Sequence, residues 1–208
     1  LSARVQRLSA MNAAIDLPPP QGIEVQRDAT SPNVRADAVQ LGVPQGRVLT
    51  EVDGVAFAPG ERWMVRGPSG CGKSTLLRAI AGLWPFSRGR ITLPGDARLM
   101  FVPQKSYLPE ARLAEVLAYP EAPDKRPREE LERVLTECRL PHLVRRLDEV
   151  ARWSHQLSPG EQQRLAFAQV LLNEPDVLFM DEATSALDND TEAHLMSMLI
   201  ERLPRCTV

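Results

Sequence analysis

The stretch that decides the fold is WMVRGPSGCGKSTLLRAIAGL, residues 63–83. Its pattern predicts a strand over 62–65, a glycine loop, and a helix from Lys73 to Ala81 that Gly82 caps. The loop GPSGCGKS, residues 67–74, fits G-x-x-x-x-G-K-[ST] at every position. Glycines let successive backbone N–H groups point into one concavity, and the positive end of the following helix also favours phosphate oxygens. A glycine-rich turn without a ligand is the alternative. The Gly-Lys-Ser ending favours a nucleoside phosphate site.

Two side chains of this loop have predicted roles in phosphate chemistry. Lys73 is expected to reach the β- and γ-phosphates, and the Ser74 hydroxyl is expected to bind a magnesium ion that bridges them. The remaining predicted contacts come from the loop itself and the first helical turn: Gly67, Pro68, Ser69, Gly70, Cys71, Gly72 and Thr75.

Composition limits the possible functions of the chain. With 208 residues and 43% hydrophobic content, it can bury the core of one medium-sized domain. A net charge of −2 does not indicate nucleic-acid binding. Three cysteines without paired spacing indicate reduced thiols in a cytosolic setting. No apolar run approaches the ~20 residues of a spanning helix, and no signal peptide is evident.

The first part of the chain is predicted to be a linker. Apolar residues in residues 1–15 form one helical stripe, which suits a packing or linker helix or, alternatively, a membrane-surface helix. Three prolines at 18–20 then predict an extended spacer and a domain boundary. The absence of an initial Met and the half-strand at residues 205–208 suggest an excised piece. We therefore expect a linker over 1–21 and one domain over 22–208.

Within residues 22–208, two kinds of pattern alternate. Residues 22–33 are polar and predicted to be weakly ordered, and short β-like runs at 38–43, 47–49 and 55–57 predict a small antiparallel sheet. Further strands are expected at 90–93, 99–102 and 177–180, and helices at 160–172 and 190–203. Between them, residues 113–117, 128–138 and 142–147 are helical in pattern, which predicts a helical subdomain over about 111–160.

An acidic pair follows one of these strands directly. Residues 177–180, VLFM, are apolar enough to be buried on both faces, and Asp181 and Glu182 come next. In parallel sheets ligands bind at the carboxyl edge of the strands. Asp181 is therefore expected to hold magnesium and Glu182 to polarise an attacking water. An ordinary acidic helix start is the alternative for the pair alone.

Two further segments remain ambiguous from spacing alone. Gln104 follows strand 99–102, where its amide oxygen is a candidate magnesium ligand, but a solvated loop glutamine explains the same position. In LSPGE, residues 157–161, Ser158 and Glu161 form a helix capping box around Pro159. The same helix start, including Gly160, is also a candidate site for a phosphate bound to another subunit.

Taken together, LSPGEQQRLAFAQVLLNEPDVLFMDEATSALD, residues 157–188, resembles the signature, Walker B and D-loop run of ATP-binding cassette (ABC) ATPases. In this run the signature is residues 157–161 and the D-loop is residues 185–188. Gln104 matches the family's Q-loop. The resemblance covers about residues 39–208 and implies an α/β fold: a RecA-like P-loop NTPase core with an amino-terminal antiparallel β subdomain and a helical insert. It also implies an ATPase that uses ATP and Mg²⁺.

The resemblance implies partners as well. In a head-to-tail homodimer, ATP lies between the glycine loop of one subunit and Ser158, Gly160 and Glu161 of the other, and Asp188 crosses the interface. GLWP (82–85), FVPQKSYLP (101–109) and EVLAYP (115–120) are similar to fused membrane-ATPase half-transporters. These are related to peroxisomal fatty-acyl transporters and bacterial peptide and vitamin B12 importers. A transmembrane domain of the same polypeptide is therefore expected. The ATPase piece itself is expected to be soluble and to lie at the cytoplasmic face of a bacterial inner membrane.

This sequence departs from the family pattern at three places. Pro159 replaces a glycine and removes an N–H donor, and Glu161 replaces a glutamine and adds negative charge near a phosphate site. The adenine-stacking aromatic has no counterpart in AVQLGVPQG (38–46), so Val43 or Pro44 is expected to contact adenine. The family's switch histidine is expected to follow Val208.

Three functions remain open from sequence. The one favoured is ATP hydrolysis, with Lys73, Gln104 and Glu182 as catalytic residues, that powers transport through nucleotide-dependent dimerisation. A soluble ABC ATPase of DNA repair or translation is the first alternative, but the net charge does not favour it. A non-catalytic ATP-binding regulatory module is the second, and the presence of Lys73, Asp181 and Glu182 argues against it.

Overall fold

The computed structural model describes residues 22–42, 48–68, 70–81 and 83–208, which divide into two compact units. The first contains residues up to 57 together with 64–96, and the second contains 58–63 together with 97–208. The linker predicted over 1–21, Gly82, Val43 and Pro44 all lie outside the described residues. The structure has the mixed α/β composition expected from the sequence.

In its described residues, the first unit contains a five-stranded sheet and one helix. Strand β2 (Val34–Gly42) pairs antiparallel with β3 (Val48–Val52), β4 (Val55–Phe57) and β5 (Ser87–Pro94), which confirms the predicted antiparallel sheet. Strand β1 (Glu24–Asp28) pairs parallel with β5, although residues 22–33 were expected to be weakly ordered. Its side chains are almost all exposed, so it carries no alternating pattern that sequence could reveal. Helix α1 spans Lys73–Ile80.

A bulge in β2 explains the irregular alternation of its buried residues. Val34 and Ala36 are buried before the bulge, and Val39 and Leu41 after it, so the inward face shifts by one position. Ala38 lies at the shift with φ of 49°. Gly89 lies opposite, where a Cβ atom would come within 2.4 Å of the Ala38 carbonyl oxygen. A glycine is therefore required at position 89.

The second unit is built around a short parallel sheet. Strand β6 (Leu99–Val102) pairs parallel with β9 (Val177–Met180), as the two apolar runs predicted. Thr207 bridges Val177 on the other side of β9. The Trp63 N–H then donates to the Val208 carbonyl at 2.7 Å, and the Val208 N–H donates to the Glu61 carbonyl at 3.0 Å. The strand predicted over 62–65 is thus reduced to bridge-like pairing at 61–63.

The helices of the second unit confirm most of the predicted pattern. They are α2 (Leu113–Ala118), α3 (Arg128–Glu137), α4 (Trp153–Gln156), α5 (Pro159–Asn173) and α6 (Asn189–Arg202). The helix expected at 142–147 is instead a 3₁₀ helix over Pro141–Arg146. Strands β7 (Glu110–Arg112) and β8 (Val150–Arg152) form an antiparallel pair within the segment expected to be helical. Each has only three residues, too few for a period-two pattern.

Apolar side chains from these helices form the core of the unit. Its largest fully buried members come from α2, α3, α4 and α5 and from the turns between them: Leu113, Leu117, Leu135, Leu140, Leu143, Leu147, Trp153, Leu165, Phe167 and Leu171. Helix α5 is buried along much of its length, and its amino-terminal end therefore has a fixed position. Among the described residues, no helix has the length and apolarity needed to cross a membrane.

Candidate functional site

The glycine loop (residues 67–74, of which Ser69 is not described) leads directly into α1. Gly70 and Gly72 have φ of 78° and 99°, in the left-handed region that glycine adopts without strain. Gly72 is the N-cap of α1, and glycine has no side chain that could cap the helix. The first-turn N–H groups therefore keep the anion-binding character of a helix start.

Lys73 lies over the backbone of the same loop. Its Nζ atom donates to the carbonyl oxygens of Gly67 and Pro68, each at 2.9 Å. A Cβ atom at Gly67 would come within 2.9 Å of the Cys71 Sγ atom, so Cys71 would have to shift to admit a larger residue there. Loop and lysine thus form a compact cationic structure of the kind that holds phosphate oxygens.

The acidic pair lies at the carboxyl end of the β6–β9 sheet. Asp181 is 5% exposed, and its N–H donates to the Val102 carbonyl oxygen at 2.9 Å. Glu182 follows with an exposed side chain and φ of 51°. A left-handed conformation at a non-glycine residue costs about 1–3 kcal/mol and often marks a functional site. The fold thus separates a buried carboxylate from an exposed one.

Gln104 contacts the exposed carboxylate. Its Nε2 atom donates to Glu182 Oε2 at 2.7 Å, although the two residues are 78 positions apart. The contact forms because β6 and β9 are parallel neighbours whose carboxyl ends lie at one edge. Gln104 is exposed and also bonded to Glu182, so both interpretations made from sequence stay open. A role for Gln104 in binding magnesium stays a prediction.

The signature segment forms the capping box that its sequence predicts. The Ser158 Oγ atom accepts from the Glu161 N–H at 3.3 Å, and Glu161 Oε2 accepts from the Ser158 N–H at 2.8 Å. The Ser158 hydroxyl also donates to Glu161 Oε2 at 2.7 Å. These bonds lower the pKa of Glu161, the side-chain bond from Ser158 being the largest cause. Capping leaves a second, phosphate-binding role of this helix start open.

Two basic residues lie near the Glu161 carboxylate. His142 Nε2 lies 2.9 Å from Glu161 Oε1, and this contact contributes to the lowered pKa of Glu161. The pKa of Arg146 is raised, chiefly by its hydrogen bond with Glu149 and to a smaller extent by the charge of Glu161. Both side chains come from the 3₁₀ helix Pro141–Arg146. Glu161, which replaces a glutamine of the family signature, is therefore paired within its own chain.

A cleft of about 450 Å³ joins the signature to the segment after Glu182. It is lined by the start of α5 and by the D-loop and the start of α6: Ser158, Pro159, Gly160, Arg164, Ala186, Leu187, Asp188 and Thr191. A Cβ atom at Gly160 would come within 3.0 Å of the Ala186 carbonyl oxygen, so the two segments approach closely. Asp188 caps α6, because its Oδ1 atom accepts from the Thr191 N–H at 2.9 Å, and this bond lowers the Asp188 pKa.

Gln163 is a residue that sequence reasoning missed. It is 7% exposed, and its amide bonds to the Glu182 carbonyl, Ser185 and Ala186. Within QQR it looked like an ordinary polar helical residue. The available signal was its position three residues, nearly one turn, after Gly160, which places both on the same face of the helix.

Residues predicted to hold magnesium offer only oxygen ligands: the Ser74 hydroxyl, the Asp181 carboxylate and the Gln104 amide. Mg²⁺ prefers such donors, so these residue types fit the ion. Among the described residues no group of three or more His, Cys, Asp or Glu side chains could hold a metal alone. Mg²⁺ that is bound together with nucleotide phosphates usually has only one or two carboxylate ligands from the protein.

Fold and motifs together define a P-loop nucleoside triphosphatase of α/β class. A sequence profile of the ABC transporter family matches residues 52–185. The chain belongs to this family.

Individual relatives agree with this assignment. An uncharacterised ABC transporter ATP-binding protein of Synechocystis sp. is 44% identical over 172 residues, which cover 81% of this chain and 26% of that protein. Human ATP-binding cassette sub-family D member 3 is 34% identical over 172 residues, which cover 79% of this chain and 26% of that protein. The chain spans about a quarter of the length of these relatives.

A solved structure is similar over nearly the whole chain. It is a bacterial Atm1-family ABC exporter with ATP bound, at a TM-score of 0.75 and 26% identity. The similarity covers 98% of this chain and 40% of that one. The RecA-like ABC ATPase fold expected from the sequence is thereby confirmed.

Proposed function

We propose that the chain binds and hydrolyses ATP with Mg²⁺ and that this hydrolysis drives a membrane transporter through closing and reopening of a dimer. The observation that carries the proposal is the Glu182 carboxylate at the carboxyl end of β9, held by Gln104 Nε2 at 2.7 Å. A carboxylate in this position suits the polarisation of an attacking water. The choice of ATP as the nucleotide rests on the family membership and on the glycine loop.

In this proposal the glycine loop binds the phosphates of ATP. The N–H groups at the start of α1 hold phosphate oxygens, and Lys73 exchanges its bonds to the Gly67 and Pro68 carbonyls for bonds to the β- and γ-phosphates. Ser74 and Asp181 are the residues that would hold Mg²⁺, which when bound neutralises charge on the phosphates. Val43 or Pro44 is the proposed adenine contact.

Glu182 acts as the general base and Gln104 as its partner. The amide N–H of Gln104 orients the carboxylate, and its oxygen is a candidate ligand for the magnesium ion. Proton abstraction by a positioned carboxylate contributes about 10²–10⁴-fold to a rate. Gln104 lies in the loop after β6, so it is also placed to report the state of the nucleotide to neighbouring segments.

The second wall of the ATP site comes from another copy of the domain. The start of α5, with Ser158, Gly160 and Glu161, faces the γ-phosphate held by the partner's glycine loop, and Asp188 lies at the dimer interface. The relatives are three to four times longer, which supports a transmembrane domain in the same polypeptide. We place the ATPase at the cytoplasmic face of a membrane, in bacteria the inner membrane.

The test is Glu182→Gln in the complete native protein, because the amide keeps the shape of the side chain but cannot accept the proton. We expect ATP turnover to fall about a hundredfold or more, with ATP and a dimer of the domains retained. Glu201→Gln is the matched control, since Glu201 is exposed on α6. Turnover at the parent rate in Glu182→Gln would contradict the assignment of the base. Binding of ATP without any hydrolysis by the parent would favour a regulatory module instead.

A further inference from the structure

The amide of Gln163 connects two functional segments of the second unit. Its Nε2 atom donates to the Glu182 carbonyl oxygen at 3.3 Å and to the Ser185 Oγ atom at 3.2 Å. Its Oε1 atom accepts from the Ala186 N–H at 2.9 Å. One buried side chain of α5 thus contacts the catalytic glutamate and two residues of the D-loop.

Two of these partners are backbone groups, so they fix the orientation of the amide. A backbone N–H can only donate and a carbonyl can only accept, so the amide oxygen must face Ala186 and the nitrogen must face Glu182. A rotated amide would leave two buried polar groups with repulsive partners, at a cost typical of unsatisfied groups. The connection therefore has a single arrangement.

Gln163 also follows the signature closely on the same helix. Ser158 caps α5, and Gly160 packs against the Ala186 carbonyl, so the start of the helix cannot move freely past the D-loop. Glu182 carries a left-handed backbone, and the Gln163 bond to its carbonyl is one of the contacts that hold this conformation. A shift of the helix start is therefore transmitted to the backbone of Glu182.

We propose that Gln163 is a positioning residue that couples the signature to the catalytic glutamate of the same subunit. This inference rests on the proposed function, in which the signature of one subunit grips ATP bound to the other. The grip on the partner's ATP then sets the conformation of Glu182 at the subunit's own ATP. Gln163 touches neither nucleotide in this scheme and acts only through Glu182 and the D-loop.

The experiment is a double-mutant cycle on ATP hydrolysis by the complete native protein. Gln163→Met keeps the length of the side chain and removes all three hydrogen bonds. We expect kcat to fall about tenfold, within the range of coupling between sites, and KM for ATP to change less than about twofold. The loss caused by Ser158→Ala should be smaller in the Gln163→Met background, because the indirect part of that loss is already absent.

Gln169→Met is the matched control on the same helix. Gln169 Nε2 donates to the Val116 carbonyl at 2.7 Å, so this variant also loses an amide bond between elements, but at a distance from Glu182. Gln169→Met should lower the melting temperature, and its effect on kcat should simply multiply with the effect of Ser158→Ala on kcat. Ser185→Ala removes a single partner of Gln163 and should lower kcat by a smaller factor, which tests the coupling even if Gln163→Met folds poorly.

The outcomes separate the two proposals. A parent kcat in both Gln163→Met and Ser185→Ala, or losses from Gln163→Met and Ser158→Ala that simply multiply, would overturn the coupling and leave the ATPase proposal intact. A parent protein that does not hydrolyse ATP would overturn the proposed function and the coupling with it.

Discussion

Two regions of the molecule differ in how far apart in sequence their hydrogen-bonded residues lie. In the glycine loop, residues 67–74, which we also call the phosphate loop, the hydrogen bonds of Lys73 join residues five and six positions apart. In the signature region, residues 157–164 with 181–188, the bonds of Gln163 join residues 19 to 23 positions apart, and Glu182 bonds to Gln104 78 positions away. The structure of the phosphate loop can be predicted from a contiguous motif because its bonds are local. The bonds of the signature region form only when α5, β6 and β9 are packed together.

The difference also predicts how each region responds to substitution. Changes in the phosphate loop should affect nucleotide chemistry strongly and stability weakly, because Lys73 is only partly buried and its bonds are local. Changes in the signature region should affect both, since its polar groups are buried or paired.

The largest effect is expected for Lys73→Ala. Removing the ammonium group takes away a cation placed for the β- and γ-phosphates, and ATP hydrolysis should fall about a hundredfold or more. The melting temperature should hardly change. Lys125→Ala, at an exposed position of the 3₁₀ helix Pro123–Lys125, is the control and should retain activity. Hydrolysis by Lys73→Ala within twofold of the parent would remove the phosphate loop from the mechanism.

A smaller effect is expected for Glu161→Gln in the signature region. The substitution removes a negative charge from the predicted phosphate face, so KM for ATP should fall about two- to threefold. The pair with His142 is lost as well, but His142 is half exposed, so unfolding should become easier by less than about 1 kcal/mol. Steady-state kinetics and urea unfolding measure the two effects. An increase in KM would show that the acid aids binding.

The pH dependence of stability gives a separate check on Glu161. Its pKa is lowered below the ordinary value of 4.5, first by the Ser158 side chain. A depressed carboxyl pKa contributes stability that is present above the unfolded value and lost as the pH falls through the folded one. In Glu161→Gln the free energy of unfolding should therefore decrease less than in the parent as the pH falls below 4.5. A curve of unchanged shape would contradict the capping box.

The smallest functional effect is expected from thiol labelling. Cys71 of the phosphate loop is exposed, whereas burial raises the pKa of Cys138 to about 12 and that of Cys206 to about 11. Maleimide at neutral pH should therefore label Cys71 and leave the two buried thiols intact, and MgATP should slow the reaction of Cys71. Equal rates with and without MgATP would show that nucleotide does not cover the loop.

Sequence was sufficient where a pattern lies in one stretch. The residues of α1, β9 and α5 were predicted within one or two positions, because apolar periodicity and capping signals are local. The ABC family followed from the order of the motifs, and the family profile confirms it.

Sequence was insufficient where tertiary pairing decides. Strand β1 is polar and forms only because β5 offers backbone partners. The turn at Pro141–Arg146 is 3₁₀ rather than α-helical, and it matters because its His142 contacts Glu161. The partners of Gln163 lie on a loop about 20 residues away, so no spacing rule could predict its contacts.

The measurement that tests the central claim most directly is complementation between two variants of the complete native protein. Lys73→Ala disables the glycine loop and Ser158→Arg blocks the signature, so neither variant alone should hydrolyse ATP. In a head-to-tail dimer of one Lys73→Ala and one Ser158→Arg subunit, both lesions fall at one ATP site and the other site is intact. We predict that co-expressed, mixed dimers recover ATP hydrolysis well above either parent variant. Mixed dimers as inactive as the separate variants would contradict an ATP site shared between subunits.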